Sequence, residues 1–214
     1  IHAYGAMGAL GFFVMTAVML REARRHYGIG PEKIADVIFW TAIAAIAGAR
    51  LLFVFQYPEK LHTLFDVVNI RGGGFVFYGA LIAGLPVAAW LFRKNDLPLW
   101  PMLDLFGMTM PIGHAFARGG CFLAGCCYGG PTESRLGVVY TSPLAEAPHN
   151  VSLHPVQLYE AIGLATIGCA LIVVHHRKRF DGQLFAAYLG LYAALRFATE
   201  TLRGDARGWF LQPV

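Results

Sequence analysis

The sequence predicts an all-α protein: a polytopic membrane bundle of six transmembrane helices in a single domain, residues 1–214, with a polar cavity that faces the outer leaflet. Composition is the first reason, because 57% of the residues are hydrophobic and only 14% are charged. A soluble domain carries about 25% charged residues. The mean hydropathy is +0.53. Apolar segments near the ~20 residues that cross a bilayer also recur along the chain, which argues against a soluble globular protein.

Six apolar segments are the expected membrane spans. No basic flank precedes the first of them, so no cleavable signal peptide is expected. The fourth contains Pro98, Pro101 and Pro111, so we expect it to be kinked or broken. In chain order the segments cover residues 4–20, 34–55, 75–92, 97–123, 154–174 and 183–200.

The charges of the loops predict the orientation in the membrane. Basic clusters follow the first, third and fifth segments, whereas the alternate loops hold only Lys60, Arg71 and Arg135. Cytoplasmic loops carry the excess of lysine and arginine. Both termini and the loops at residues 56–74 and 124–153 are therefore expected to face outward. The net charge of +4 is assigned to membrane loops rather than to nucleic-acid binding.

Three arginines, Arg50, Arg118 and Arg196, lie inside or at the ends of the apolar segments. A charge in hydrocarbon costs about 2.5–3.5 kcal/mol on insertion scales. One interpretation is snorkelling or a structural ion pair, and the other is a site for an anionic lipid headgroup, since a guanidinium fork suits phosphate. Arg196, Glu200 and Arg203 are spaced i, i+4, i+7, which predicts a helical face of alternating charge.

Glycines and thiols lie beside these charges, at the expected outward ends of the helices. The glycines at residues 72–74 and 119–120 are expected to let a phosphate approach and to offer it backbone N–H groups. Cys121, Cys126 and Cys127 admit three interpretations: apolar packing, a disulfide on an oxidising outer face, or a metal site completed by His114 or His154. Metal is the least favoured, because C-x4-C-C is not a standard zinc spacing.

The motifs resemble, in order along most of the chain, those of the prolipoprotein diacylglyceryl transferases of bacterial inner membranes. The matching stretches are Tyr-Gly at 4–5, Gly-Ala-Arg at 48–50, Phe-Tyr-Gly-Ala-Leu-Ile-Ala-Gly at 77–84, Arg-Gly-Gly-Cys-Phe-Leu at 118–123, His-Pro-Val-Gln-Leu-Tyr-Glu-Ala at 154–161 and Arg-Phe-x-x-Glu-x-x-Arg at 196–203. The chain departs from the family at Tyr78, Cys121 and Cys126, where the family has histidine, asparagine and glutamate. The family usually has seven helices, so a seventh is expected outside this sequence.

The resemblance implies an enzyme that moves a diacylglyceryl group from phosphatidylglycerol to the lipobox cysteine thiol of a preprolipoprotein, while glycerol phosphate leaves. Its partners would be phosphatidylglycerol, the preprolipoprotein signal peptide and membrane lipid, without nucleic acid, cofactor or metal. Its place would be the bacterial inner membrane, with the site toward the outer leaflet.

The resemblance also implies roles for individual residues. Arg118 and Arg196 are expected to stabilise the developing phosphate charge. The base stays open: Tyr78 takes the place of the family's histidine, and His154 and Glu160 are the substitutes. The expected substrate-binding residues are Tyr4, Arg50, Gly79, Cys121, Gly129, Gln157, Tyr159, Glu160, Glu200 and Arg203.

Two other functions remain compatible with the sequence. One is a non-catalytic, phospholipid-binding membrane subunit of a larger complex, which the loss of the family's histidine at Tyr78 would explain. The other is a transferase that uses the same lipid donor with another acceptor. Consumption of labelled phosphatidylglycerol in the presence of a lipobox peptide separates the enzyme from the subunit.

Overall fold

The computed structural model of the chain describes residues 3–61, 63–68 and 74–205. Its helices are α1 Ala3–Tyr27, α2 Pro31–Gln56, α3 Leu64–Val68, α4 Phe77–Lys94, α5 Leu99–Ala124, α6 Val156–Val174 and α7 Gln183–Glu200. Short 3-10 helices cover Pro58–Lys60 and His175–Arg177. Two short strands, β1 Val138–Val139 and β2 Ser152–Leu153, pair antiparallel in the loop between α5 and α6.

Six of these helices are long, and they lie at the six apolar segments of the sequence. Three of them have the length and hydropathy to cross a membrane: Ala3–Tyr27, Pro31–Gln56 and α6 with its 3-10 extension, Val156–Arg177. The mostly helical fold agrees with an α-helical membrane protein. That all six long helices span the bilayer, and that a polar cavity faces the outer leaflet, remain predictions.

Helix α5 runs without interruption from Leu99 to Ala124, so the expectation of a break is wrong, whereas the expectation of a kink stays a prediction. The positions of the prolines give the reason. Pro98 precedes the helix and Pro101 falls in its first turn, where an N–H has no intrahelical acceptor in any case. Pro111 is the one proline deep inside α5, and the helix continues through it.

The fold divides into two compact units, and each is described by itself. The first unit comprises Ile1–Met19 and Trp100–Val214, and the second comprises Leu20–Leu99. The single domain expected over residues 1–214 stays a prediction.

In the second unit, two glycines let α2 and α4 approach closely. A Cβ on Gly48 would collide with the carbonyl oxygen of Gly79 and with the Cβ of Ala83, and a Cβ on Gly79 would lie 2.7 Å from the Cβ of Leu52. Real side chains do not tolerate such distances, so both positions need glycine. Gly79 is therefore a packing residue between two helices.

In the first unit, the buried carboxylate of Asp104 anchors the start of α7 to α5. Asp104 Oδ1 accepts hydrogen bonds from the backbone N–H groups of Leu184 at 2.8 Å and Phe185 at 3.1 Å. Its Oδ2 accepts from Gly182 N at 2.9 Å and from Lys178 Nζ at 3.0 Å. A carboxylate at a helix N-terminus satisfies unpaired N–H groups and favours the helix dipole.

The contacts of Asp104 fix the position of α7 relative to α5 along the helix axes, and with it the height of the residues that follow in both helices. Arg118 follows Asp104 along α5, and Arg196 follows Leu184 along α7. At 1.5 Å per residue, the two arginines lie roughly 21 and 18 Å from the anchored end. Their Cα atoms thus come to nearly the same height, within reach of a common partner.

Candidate functional site

The carboxylate of Glu160, in the second turn of α6, is the point at which α5, α6 and α7 meet. Its side chain is 1% exposed. Arg118 Nε from α5 lies 2.6 Å from Glu160 Oε2. On the other oxygen, Oε1 accepts hydrogen bonds from Arg196 Nη1 and, at 3.1 Å, from Thr199 Oγ1 of α7. Arg203 Nη1 lies 3.7 Å from Oε1. One carboxylate therefore holds three arginines.

The three arginines differ in how fully they are engaged. Arg118 Nε makes a close ion pair with Glu160, but its N–H direction does not meet hydrogen-bond geometry. Within the described residues, the terminal nitrogens of Arg118 donate no hydrogen bond. Arg196 by contrast uses both terminal nitrogens, one on Glu160 and one on Glu200 Oε2 at 2.7 Å. Arg118 is thus the arginine with an unoccupied fork.

Arg203 does not lie on the α7 face, so the predicted helical stripe of Arg196, Glu200 and Arg203 is wrong at its last member. Helix α7 ends at Glu200, and Arg203 forms an antiparallel β-bridge with Gly129. Its guanidinium binds Asp205 through two bonds of 2.8 and 2.5 Å. Burial opposes the charge, but hydrogen bonds to Asp205 and Cys127 raise the pKa of Arg203 above its usual range.

The loop after α5 positions Arg203 through backbone hydrogen bonds to two segments, one before α6 and one after α7. Gly129 N donates to His154 O at 3.1 Å, and His154 N donates to Gly130 O at 3.0 Å. On the other side, Gly130 N donates to Leu202 O at 2.9 Å. A Cβ on Gly129 would lie 2.5 Å from His154 O. Gly129, expected to bind substrate, is therefore needed for this close backbone pairing.

The three loop-side cysteines come together because of how α5 ends. Gly125 has φ +68°, Gly125 N donates to Phe122 O, and Cys126 N donates to Cys121 O. This is the Schellman arrangement, which folds the chain back and places residues 121 and 126 in contact. Cys127 follows at φ +58°, in the left-handed region. The three sulfur atoms lie within 4.8 Å of one another, and all three thiols are free.

The pKa values of the Cys126 and Cys127 thiols shift in opposite directions. Hydrogen bonds from the Cys121 and Cys126 thiols, and then the Arg203 guanidinium, lower the pKa of Cys127 far below its usual range. Hydrogen bonding to Cys121 and Cys127 raises the pKa of Cys126, which stays the donor. The buried Cys121, expected to bind substrate, is a member of this sulfur cluster.

The motif at the start of α6 fixes the loop as well as supplying Glu160. Gln157 is buried, and its amide donates to Cys126 O at 2.8 Å and to Tyr140 Oη at 3.2 Å. The rings of His154 and Tyr159 meet edge to face at 6.3 Å. Buried His154 Nδ1 has no hydrogen-bond partner among the described residues. Gln157 thus positions the loop, whereas His154 keeps a nitrogen available.

The glycines at 119–120 serve helix packing, so the expectation that they admit a phosphate is wrong. Both lie inside α5, where the backbone N–H groups belong to the helix. A Cβ on Gly120 would lie 3.2 Å from the carbonyl oxygen of Tyr4, and one on Gly119 would lie 3.1 Å from Met7 Cε. Helix α1 fills the space above these glycines. Tyr4 itself is half-exposed at the start of α1.

The remaining expected site residues belong to the second unit. Tyr78 is 70% exposed, and its ring meets Phe77 edge to face. Arg50 donates to the carbonyl oxygens of Val67 at 3.1 Å, Gly74 at 2.9 Å and Asp66, and so fastens α3 and Gly74 to α2. Residues 72 and 73 of the expected glycine site lie outside the described residues.

Two residues of the cluster were missed from the sequence. Thr199 lies three residues after Arg196 on the same side of α7, a spacing that could have indicated it. Asp205 lies two residues after Arg203 and carries the opposite charge. His114 was considered only as a metal ligand. It precedes Arg118 by one helical turn and packs against Tyr192, with ring centroids 5.4 Å apart.

The sequence of this chain is similar to known proteins over nearly its whole length. A family model described as prolipoprotein diacylglyceryl transferase matches residues 1–213. The phosphatidylglycerol–prolipoprotein diacylglyceryl transferase of Clostridium tetani is 36% identical over 97% of this chain and 83% of its own. The protein of that name from Finegoldia magna is 34% identical over 95% of this chain and 79% of its own length. The one from Dehalococcoides mccartyi is 33% identical over 94% of this chain and 76% of its own length.

Proposed function

This chain belongs to the prolipoprotein diacylglyceryl transferase family, and on that premise we propose how its residues carry out the transfer. It is a membrane transferase, with phosphatidylglycerol as donor and the lipobox cysteine of a preprolipoprotein as acceptor. The site faces the outer leaflet of the bacterial inner membrane. The observation that carries the proposal is the convergence of Arg118, Arg196 and Arg203 on Glu160.

The reaction makes two demands on the protein. The acceptor sulfur attacks the glyceryl carbon that bears the phosphate, a C–S bond forms, and the C–O bond breaks. The electron pair of the C–O bond leaves with glycerol phosphate, so negative charge on the phosphate must be stabilised. The acceptor must lose its proton, because the thiolate is the nucleophile.

Arg118 is assigned to the phosphate. Its terminal nitrogens donate no hydrogen bond within the described residues, and they form the fork that binds two phosphate oxygens at once. Glu160 Oε2 lies 2.6 Å from Arg118 Nε, and this ion pair holds the guanidinium in place. Glu160 acts in this proposal as a positioning residue.

Arg196 is assigned to the same phosphate as a second cation. One of its terminal nitrogens is held by buried Glu160, and the other binds Glu200, whose side chain is 43% exposed. An exposed ion pair contributes little, about 0–1 kcal/mol. Exchange of Glu200 for a phosphate oxygen is therefore inexpensive, whereas the bond to Glu160 stays in place.

His154 is the residue that we assign to the acceptor proton. Both oxygens of Glu160 are engaged by arginines, and a phenol, the group that Tyr78 offers in place of the family's histidine, is a poorer general base than imidazole. His154 has a buried Nδ1 without a hydrogen-bond partner in the described part of the chain. Imidazole is the usual general base near pH 7.

The test is transfer by the purified chain in phosphatidylglycerol micelles with a fluorescent lipobox peptide. We expect a thioether-linked diacylglyceryl peptide and one glycerol phosphate released per transfer. His154→Asn should reduce turnover while leaving peptide and lipid binding intact. Binding of phosphatidylglycerol without any transfer by the parent chain would instead support the non-catalytic subunit. Transfer to a different thiol but not to the lipobox peptide would identify another acceptor.

A further inference from the structure

The thiols of Cys121, Cys126 and Cys127 form a cluster that the transfer reaction does not use. From their arrangement we propose that they bind one thiophilic metal ion of the Cu(I) or Zn(II) class. This proposal does not depend on the transferase assignment, since it concerns the sulfur atoms alone.

The distances between the sulfur atoms suit a shared ion. All three lie within 4.8 Å of one another. Sulfur ligands lie about 2.3 Å from zinc. Three sulfur atoms bound to one ion at that distance are therefore roughly 4 Å from one another. Rotation of the side chains that moves the sulfur atoms closer together by less than about 1 Å would bring all three to bonding distance of one ion. No change of the backbone is required.

The backbone around the three cysteines fixes their arrangement. The Schellman turn brings Cys126 back over Cys121, and the Cys126 carbonyl is tied to Gln157 on α6. Cys127 occupies a left-handed conformation, which is uncommon for any residue other than glycine. The chain therefore accepts an unfavourable conformation at Cys127, and the result is a third sulfur beside the other two.

The surrounding charge suits a thiolate site. Thiols release their protons when they bind a metal, so three thiolates carry a charge of −3. With Zn(II) the site is left at −1, and with Cu(I) at −2. The guanidinium groups of Arg203 and Arg118 both interact electrostatically with the cluster. These two cations offset the excess negative charge.

The donor set decides the class of metal. Among the described residues, no histidine, aspartate or glutamate joins the three sulfur atoms within that distance. Soft thiolates select Cu(I) and Zn(II), whereas Mg²⁺ and Ca²⁺ require oxygen ligands. Three sulfurs satisfy a trigonal Cu(I) ion by themselves, and Zn(II) would take a fourth ligand such as water.

The first experiment measures binding directly. The full chain, reduced and freed of metal with a chelator, is titrated with Cd(II) as a spectroscopic substitute for zinc, and separately with Zn(II) and Cu(I). We expect one equivalent bound, with a sulfur-to-cadmium charge-transfer band in the ultraviolet. Cys121→Ser, Cys126→Ser and Cys127→Ser should each weaken binding at least tenfold. Cys169→Ser, which changes the exposed cysteine on α6, is the matched control and should bind as the parent does.

A second measurement avoids variants that fail to fold. The parent chain is treated with an alkylating reagent with and without metal, and the modified cysteines are identified by mass spectrometry. Metal should protect Cys126 and Cys127 and leave Cys169 reactive. Equal alkylation in both samples would overturn the proposal. Binding that survives removal of all three cluster thiols would do the same, as would a disulfide in the aerobic protein together with no metal uptake after reduction.

Discussion

Arg118 Nε lies 2.6 Å from Glu160 Oε2, and this contact joins the end of α5 to the second turn of α6. The two residues come from different motifs of the sequence, 42 positions apart. Within the described part of the chain, the terminal nitrogens of Arg118 donate no hydrogen bond. For the phosphate role that we propose for Arg118, a guanidinium already held by an ion pair would leave little ordering for the moment of reaction.

We expect Arg118→Lys to lower the rate of diacylglyceryl transfer about 100- to 1000-fold, the usual effect of removing one donor to a developing oxyanion. Lysine keeps the charge but loses the two-pronged grip. The rate is measured with labelled phosphatidylglycerol, alongside a thermal melt. Arg135→Lys, in the exposed loop after α5, is the matched control and should keep the parent rate. A near-parental rate in Arg118→Lys would refute the phosphate assignment.

We expect Glu160→Gln to destabilise the protein by about 3–5 kcal/mol, because it leaves several buried or half-buried cations without their shared counter-charge. Glu200→Gln is the matched comparison: Glu200 pairs with Arg196 but is 43% exposed, so the loss should be about 1 kcal/mol or less. Denaturant unfolding in detergent measures both. Equal losses in the two variants would show that Glu160 is not the hub of the cluster.

Gly125→Ala should disrupt the turn that ends α5. A Cβ at this position would lie 2.6 Å from Ala145 Cβ, and the residue has φ +68°. We expect a loss of at least about 1–3 kcal/mol. Gly190→Ala in α7, where the structure leaves open space around the new Cβ, should be neutral or stabilising by up to about 1 kcal/mol. Thermal melting compares the two, and a parental melt for Gly125→Ala would contradict the account of the turn.

The orientation of the chain is open to a direct labelling test. In a background without the native thiols, a cysteine introduced by Ser134→Cys should react with a membrane-impermeant thiol reagent in intact cells. Asn95→Cys, in the loop between α4 and α5, should react only after the cells are opened. The expectation follows from the basic loops. Reversed labelling would move the arginine cluster to the cytoplasmic side and remove its access to the outer leaflet.

The helical part of the fold could be predicted because it is written locally in the sequence. Runs of apolar residues predict the six long helices. The break expected in α5 does not occur, because Pro98 precedes the helix and Pro101 lies in its first turn. The stripe of Arg196, Glu200 and Arg203 failed at Arg203, because pairing with Gly129 outweighs continuation of α7. Helical spacing predicts the face on which a residue lies only within the helix, and Arg203 lies beyond the end of α7.

The centre of the site was harder to predict, since it depends on contacts between helices. Glu160 looked like one of several candidate bases, and only the meeting of α5, α6 and α7 makes it a shared counter-ion. Glycines 119 and 120 carry no sign in the sequence of what fills the space beside them, and α1 fills it. The C-x4-C-C spacing is not a standard zinc spacing, and the turn at Gly125 that brings the three sulfur atoms together is not evident from it.

Helix α7 is held at both of its ends, by Asp104 at Leu184 and by Glu160 at Arg196. A helix held at both ends cannot slide or tilt against the helices it contacts unless one of the two contacts breaks. We therefore expect the three helices around the arginine cluster to move little relative to one another, and the motion that admits a bulky peptide and a two-chained lipid to arise elsewhere in the protein. Amide hydrogen exchange should record this division as slow exchange at Leu184 and Phe185, which donate to Asp104, and faster exchange across the long loop between α5 and α6.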